Sequence, residues 1–158
     1  RKIYSYSQKG VNAEANSRND LFKADTEGLA GTYILRLRLS DRKGRAISVN
    51  DYIMRDKDTP DYQALNSVPQ ARLKARSLKP SADGRIRFEI SNPSDGIALN
   101  LKLNLRDRLS GEIILPAYFS EGYFHLLPGE KRTVELSAPS EGSISVEGYN
   151  VAETIIIR

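Results

Sequence analysis

The sequence has no cysteine and no tryptophan, and only one histidine and one methionine among its 158 residues. Without cysteine the chain can form no disulfide, no thiolate nucleophile and no cysteine-ligated metal site. It also has no apolar run near the roughly 20 residues that a membrane helix needs, and no signal peptide pattern. We therefore expect no membrane partner and no cysteine chemistry.

The remaining composition is that of a folded chain. Hydrophobic residues make up 39% and charged residues 28%, far from the regime of disordered proteins. The length suits one medium domain, or one small domain and part of another. The chain begins at Arg1 and its one methionine is Met54. We therefore expect a piece of a longer protein, with any targeting signal upstream.

Apolar residues recur with a period of two, which predicts strands with one buried face. The clearest run is 97–105, whose apolar face consists of Ile97, Leu99, Leu101, Leu103 and Leu105. In 33–39 the alternation predicts an inward row of Tyr33, Leu35, Leu37 and Leu39, with Arg36 and Arg38 outward. The β-branched tail 154–157 predicts a strand buried on both sides or ending against another surface. Residues 61–66 allow one short helical turn at most.

Turn signals between these runs predict an all-β protein with two parts. Residues 71–158 hold enough short strands for a complete immunoglobulin-like β-sandwich. Residues 56–70, which contain Pro60 and Pro69, form the predicted linker. Residues 1–55 are predicted to be the C-terminal part of a truncated β-sandwich, with strands near 2–7, 11–17, 21–25, 31–40 and 45–54. A half-sandwich exposes its inner face, so this part must pack on the second domain or on another chain.

Three segments carry a resemblance to a known family. Residues 31–54, GTYILRLRLSDRKGRAISVNDYIM, resemble the closing hairpin of the middle β-sandwich of family two glycoside hydrolases, in the branch of β-mannosidases and exo-β-glucosaminidases. Residues 114–136 and 145–151 are similar to the last immunoglobulin-like domain of that family, most specifically in Tyr123–Glu130. This chain has Tyr149 where the family often has tryptophan.

The resemblance implies a non-catalytic role for this region. In the family two glutamates do the chemistry in a (β/α)₈ barrel of about 250 residues, which this chain does not contain. The expectation is a C-terminal accessory domain that braces the barrel and helps to wall its active site, with no catalytic residue, cofactor or metal of its own. The parent would be a secreted or periplasmic β-glycosidase acting on β-mannosides or β-glucosaminides. The alternatives are a stand-alone carbohydrate-binding module and a cell-surface interaction module.

An aromatic cluster precedes the turn at 128–130. Tyr118, Phe119 and Tyr123, with Phe124, either fill the sandwich core and domain contacts or form a rim near the active site of the parent. The lone His125, flanked by apolar residues, is expected to lie partly exposed beside the core.

A basic patch accounts for the net charge of +4. If 71–79 and 85–91 pair across the turn at 80–84, one outer face carries Arg72, Lys74, Arg76, Arg85 and Arg87. Such a face can attract acidic glycans or nucleic acid, but no aromatic residue interleaves with these charges. We therefore expect a solvated face or a domain contact, and no nucleic-acid partner. The spacing of Asp56, Asp58 and Asp61 lacks the glycine and glutamate of a helix-loop-helix calcium site, so a solvated linker is favoured.

Overall fold

The structure of the protein, a computed structural model, describes residues 6–12 and 14–157. In these residues the regular elements are strands and one short 3₁₀ helix, Gln63–Ser67. The strands are β1 Thr32–Ser40, β2 Ala46–Arg55, β3 Lys74–Leu78, β4 Ile86–Ser91, β5 Ala98–Arg106, β6 Tyr118–Phe119, β7 Phe124–Leu126, β8 Lys131–Ser137, β9 Ser143–Gly148 and β10 Val151–Ile157. The prediction of an all-β protein is confirmed.

Two four-stranded antiparallel sheets form the main body. One has the order β10-β9-β5-β7 and the other β3-β4-β8-β6. Fourteen of the described side chains form one apolar core between the sheets, and the largest include Phe88, Leu101, Leu126 and Leu136. The strands β4, β5, β7, β8 and β9 contribute alternate residues to this core, as the period of two requires. The predicted immunoglobulin-like β-sandwich is therefore confirmed.

Asn100 changes the predicted face of β5. It has a positive φ of 49°, a left-handed conformation that asparagine tolerates better than β-branched residues, and the β5–β7 register shifts between Ala98 and Leu101. As a result Ala98, and not Leu99, joins the contiguous core with Leu101. The strictly alternating face predicted from Ile97 to Leu105 is thus wrong at its N-terminal end.

The C-terminal strand β10 is an edge strand. Its residues 152–155 are exposed, and Ile155 retains 41% of its accessible surface. The prediction of a strand buried on both sides is therefore wrong, because β10 pairs with β9 along one edge only. Ile156 and Ile157 pack partly against the core at the end of the strand.

The first part of the chain contains one hairpin, β1–β2, with Leu35 opposite Tyr52. The strands predicted at 11–17 and 21–25 do not form in the described residues, and most of 2–7 lies outside them. An isolated strand leaves its backbone groups unpaired, so these segments need partner strands, and none lies beside them in the described residues. The assignment of residues 1–55 to a truncated sandwich stays a prediction.

The hairpin presents its charged face to the sandwich and its apolar face away from it. Arg36 reaches Glu130 of the sandwich, so the row of leucines on the other face of β1 points outward. Leu37 is 40% and Leu39 58% exposed. Within this chain Arg36 therefore faces the sandwich and not the solvent, whereas the packing of the leucine face against another domain stays a prediction.

Asn150 fastens the segment before β3 to the sandwich. It is 2% exposed, its Oδ1 accepts the N–H of Leu99, and its Nδ2 donates to the carbonyls of Pro69 and Ile97. The neighbouring Tyr149 hydroxyl donates to Asn66 of the short helix. The motif at 145–151 thereby fixes where the predicted linker enters the sandwich.

We expect Asn150→Ala to lower the free energy of unfolding by about 3 kcal/mol, because it leaves several buried backbone groups without hydrogen-bond partners. The matched control is Tyr149→Phe, which removes one half-exposed hydrogen bond and should cost about 0.5 kcal/mol. Urea unfolding of the two variants and of the unsubstituted 158-residue chain measures both values. Equal losses of unfolding free energy in the two variants would contradict the role of Asn150 in fastening the segment before β3 to the sandwich.

Candidate functional site

The hairpin and the sandwich meet through the guanidinium of Arg36 on β1. Its Nε and Nη2 donate to the two carboxylate oxygens of Asp51 on β2, at 2.7 and 2.8 Å. Its Nη1 donates to Oε1 of Glu130, at 2.9 Å. The hydrogen bond to Asp51 raises the pKa of Arg36 against the opposing effect of burial, and Glu130 adds to the rise. Arg36 is therefore a fixed positive charge shared by both parts of the molecule.

Glu130 ends the motif that carries the family resemblance, and its carboxylate meets Arg36, Arg132 and the N–H of Leu127. Its Oε2 accepts the N–H of Leu127 and closes the turn between β7 and β8, at 2.8 Å. Arg132 lies 3.7 Å from Oε1 of Glu130 and donates to Glu121 at 3.2 Å. The same guanidinium stands 5.0 Å above the ring of Phe124, a cation–π contact at the end of the core.

We call the five residues Arg36, Asp51, Glu121, Glu130 and Arg132 the junction cluster. A cleft of about 370 Å³ lies beside it, between the hairpin and the sandwich. Arg38, Ile47 and Val49 of the hairpin form one wall of this cleft. In the cluster two arginines alternate with three carboxylates, and every charge has an opposite charge as a neighbour. The arrangement can therefore hold two bodies together and can order the loop that carries Glu121.

His125 lies behind the cluster on β7 and is 7% exposed. Its Nδ1 accepts the N–H of Asn100 at 2.9 Å, which supports the left-handed residue of β5. Burial lowers the pKa of His125, and although Asp51 opposes this, Arg36 and Arg132 add to it. The expectation of a partly exposed histidine is wrong, because the polar ring finds a backbone partner inside the sheet.

The predicted aromatic cluster is divided between core and solvent. Phe124 is buried, and Phe119 packs partly against the core. Tyr118 is 70% and Tyr123 is 76% exposed. Tyr118 lies on β6 opposite Ser137, whereas Tyr123 follows Glu121 in the loop beside the junction cluster. The core reading thus applies to Phe119 and Phe124, and a rim role for the exposed Tyr118 and Tyr123 stays a prediction.

The predicted basic patch forms on one outer face, because β3 pairs with β4 and places Arg76 opposite Glu89. Carboxylates lie among its charges: Arg76 meets Glu89 at 3.0 Å, and Arg85 and Arg87 both meet Glu135. Such exposed pairs contribute about 0–1 kcal/mol each but reduce the local field. In the described residues, Arg72 and Lys74 have no carboxylate within ion-pair distance. A binding role for this patch stays untested.

Sequence reasoning did not select the junction cluster. Arg36 and Asp51 are 15 residues apart, and Glu130 lies 94 residues beyond Arg36, so no local motif joins them. The signal that was present is a charged residue alternating with leucines on β1 and a glutamate in a Pro-Gly-Glu turn. Only the docking of the hairpin brings these residues together.

The aspartates of the predicted linker organise turns. Asp56 accepts the N–H groups of Gly31, Asp58 and Thr59, and these bonds, chiefly that from Gly31, lower its pKa. Asp61 accepts the N–H of Gln63 at the start of the short helix. Across residues 6–12 and 14–157, no group of three or more potential metal ligands gathers, and no helix is long and apolar enough to cross a membrane.

This chain has two facing antiparallel sheets with a core of alternating side chains between them. It is therefore of the class of immunoglobulin-like β-sandwich domains. The chain belongs to the family of exo-β-D-glucosaminidase Ig-fold domains, whose family model matches residues 51–151. This confirms the resemblance to the C-terminal immunoglobulin-like region of family two glycoside hydrolases. The match includes the second half of β2 and the segment that leads to β3.

Similar proteins are much longer than this chain. An exo-β-D-glucosaminidase of Arthroderma benhamiae is 26% identical, over 77% of this chain and 16% of that protein. The crystal structure of Amycolatopsis orientalis exo-chitosanase CsxA matches with a TM-score of 0.66 and 20% identity, over 84% of this chain and 19% of that one. A variant of CsxA in complex with PNP-β-D-glucosamine gives a TM-score of 0.67 and 22% identity. The solved structures share the fold of this chain. The family match supports the exo-β-glucosaminidase branch and gives the β-mannosidase branch no support.

The single histidine predicts a pH dependence of stability. Burial holds the pKa of His125 below 6.5, so as pH falls through 6.5 the unfolded chain binds this proton before the folded chain does. The free energy of unfolding should therefore decrease as the pH falls from about 7, by at most about 1.4 kcal/mol per pH unit, and this loss should end below the folded pKa.

Urea unfolding between pH 7.5 and 5, with an NMR titration of the imidazole, measures this effect. His125→Gln, which leaves no histidine in the chain, is the control and should show a flatter profile over the same range. An imidazole pKa at or above 6.5 in the folded chain would contradict the prediction.

Proposed function

We propose that this chain is a non-catalytic accessory region of a larger glycoside hydrolase of the exo-β-glucosaminidase type. The observation that carries the proposal is the family match over residues 51–151, together with the small share of each relative that the chain spans, 16% and 19%. The parent would hydrolyse β-glucosaminides at a catalytic barrel outside this chain. Its other domains would be the partners of this region.

The outward face of the hairpin supports a bracing role. Tyr33, Leu35, Leu37 and Leu39 share one face of β1, and Tyr52 and Met54 of β2 lie opposite two of them. An apolar sheet face of this kind normally packs against another layer. We assign it to the rest of an upstream β-sandwich in the parent, which would make residues 1–55 the end of that domain.

The exposed tyrosines support a role as a rim of the active site. Tyr118 and Tyr123 are more than two-thirds exposed, although aromatic side chains tend to be buried. Tyr123 lies beside the polar cleft, where a ring can stack on a sugar or on a neighbouring domain. The basic patch is less suited to glucosamine polymers, since their ammonium groups repel arginine and lysine.

Two measurements test the accessory role. The 158-residue chain alone should not hydrolyse a nitrophenyl β-glucosaminide, whereas the full parent should. Removal of residues 71–158 from the parent should lower its melting temperature, since a domain that braces its neighbours stabilises them. Turnover by the isolated chain, or an unchanged melting temperature and activity after removal, would overturn the proposal.

Substitutions of the tyrosines test the rim. In the full parent, Tyr123→Ala should raise KM for a glucosamine oligomer about fivefold, because an aromatic contact contributes about 1 kcal/mol. Tyr62→Ala, which truncates a half-exposed tyrosine outside this loop, is the matched control and should leave KM unchanged. Unchanged kinetics in both Tyr118→Ala and Tyr123→Ala would remove the rim role and leave the bracing role standing.

The alternative is a stand-alone carbohydrate-binding or cell-surface interaction module, which the two exposed tyrosines also allow. Calorimetry of the chain with chitosan oligomers separates the two possibilities. Saturable heat that is lost in Tyr118→Ala or Tyr123→Ala would favour the binding module. The accessory role predicts no such heat from the isolated chain.

A further inference from the structure

The junction cluster is a continuous line of contacts from the hairpin to the loop that carries Tyr123. Arg36 contacts Glu130, Arg132 approaches Glu130, and Glu121 accepts from Arg132. All five side chains are half-buried or better, with exposures of 9% for Asp51, 16% for Arg132, 22% for Arg36, 23% for Glu130 and 35% for Glu121. Charges in such surroundings are screened by salt less than surface pairs are.

The loop between β6 and β7, which carries Tyr123, is held to the sandwich by this line of contacts. Ser120 is held by β8, through its N–H to the carbonyl of Glu135 and through its hydroxyl, which accepts the N–H of Glu135. From there to the start of β7 at Phe124, the described hydrogen bonds and ion pairs include one attachment of the loop to the sandwich, from Glu121 to Arg132. Gly122 and Tyr123 lie between Glu121 and Phe124, and both are exposed.

Arg132 contacts the residues on both sides of the exposed Gly122 and Tyr123. Its Nη1 donates to Glu121 on one side, and its guanidinium covers the ring of Phe124 on the other. Glu130 in turn fixes Arg132 and receives its second charge-assisted contact from Arg36 of the hairpin. Without Arg36, Glu130 would keep Arg132 as its one cationic partner. The Glu130 side chain could then move, and Arg132 could move with it and away from Glu121.

We propose that Glu130 and Arg132 are positioning residues, through which the docked β1–β2 hairpin orders the loop that carries Tyr123. The loop then takes a defined position only when the hairpin is seated on the sandwich. The consequence for catalysis rests on the proposed function: in the parent, the rim tyrosine would be set in place by the end of the upstream domain. The coupling itself belongs to the 158-residue chain and can be measured there.

Backbone NMR relaxation at Gly122 tests the coupling. In the unsubstituted 158-residue chain we expect an order parameter near that of rigid backbone, about 0.85. In Arg36→Met we expect a fall toward the flexible range, below about 0.6. Arg132→Met should produce the same fall directly. Asp51 and the leucines of the hairpin are unchanged in both variants, so the effect reports on the line of contacts.

Arg76→Met is the matched control, since it removes an arginine–glutamate pair between β3 and β4, at the edge of the sheet opposite to β6 and the loop. It should leave Gly122 rigid. If Arg36→Met does not fold, Arg36→Lys supplies the same test, because lysine cannot make the forked contact with Asp51 and still reach Glu130. The double variant Arg36→Met/Glu121→Gln should lose less stability than the sum of the single variants.

A merely structural Arg36 would give a different result: lower stability with an unchanged order parameter at Gly122, and additive losses in the double variant. Either outcome overturns the proposal. Failure of the coupling also stands apart from failure of the proposed function. The first is seen as a rigid Gly122 in the variants. The second is seen as turnover by the isolated chain, or as an unchanged melting temperature and activity of the full parent after removal of residues 71–158.

Discussion

The forked contact of Arg36 with Asp51 and Glu130 is the interaction on which the arrangement of the two parts depends. A guanidinium offers donors in a fixed plane, so two of them can grip one carboxylate while a third reaches another. The grip on Asp51 fixes the side chain within the hairpin before it meets the sandwich. The contact with Glu130 then sets where the hairpin lies, because a partly buried charge has few alternative partners.

Other buried polar groups gather at the same end of the sandwich. His125 supports Asn100, and Asn92 donates to the carbonyls of Gly96 and Leu126. Asn150 anchors the segment that arrives from the hairpin. Buried polar groups are costly unless satisfied, so each one permits few arrangements of the backbone around it. This end of the domain is therefore more tightly specified than the solvated edge at β10.

The periodic strands could be predicted from the sequence, and the errors occur where tertiary contacts override the pattern. The alternation on β5 fails at Asn100, whose left-handed backbone changes which neighbour enters the core. The apolar tail at 154–157 has the composition of a buried strand, yet β10 lies at an edge. The segments at 11–17 and 21–25 have strand-like sequences, but no partner strand lies beside them in the part of the chain that the structure describes. Strand formation requires a neighbour, which a local pattern does not contain.

The sequence by itself determined the all-β class, the two-residue period of the core strands, the β1–β2 hairpin and the similarity to the family. These properties follow from local alternation, turn residues and short motifs, which are all written within a few consecutive positions. Only the tertiary structure decided which face of the hairpin meets the sandwich, which aromatics are exposed, and that Arg36, Glu130 and Arg132 form one cluster. Those properties depend on contacts between residues far apart in the chain, and such contacts exist only once the strands have packed.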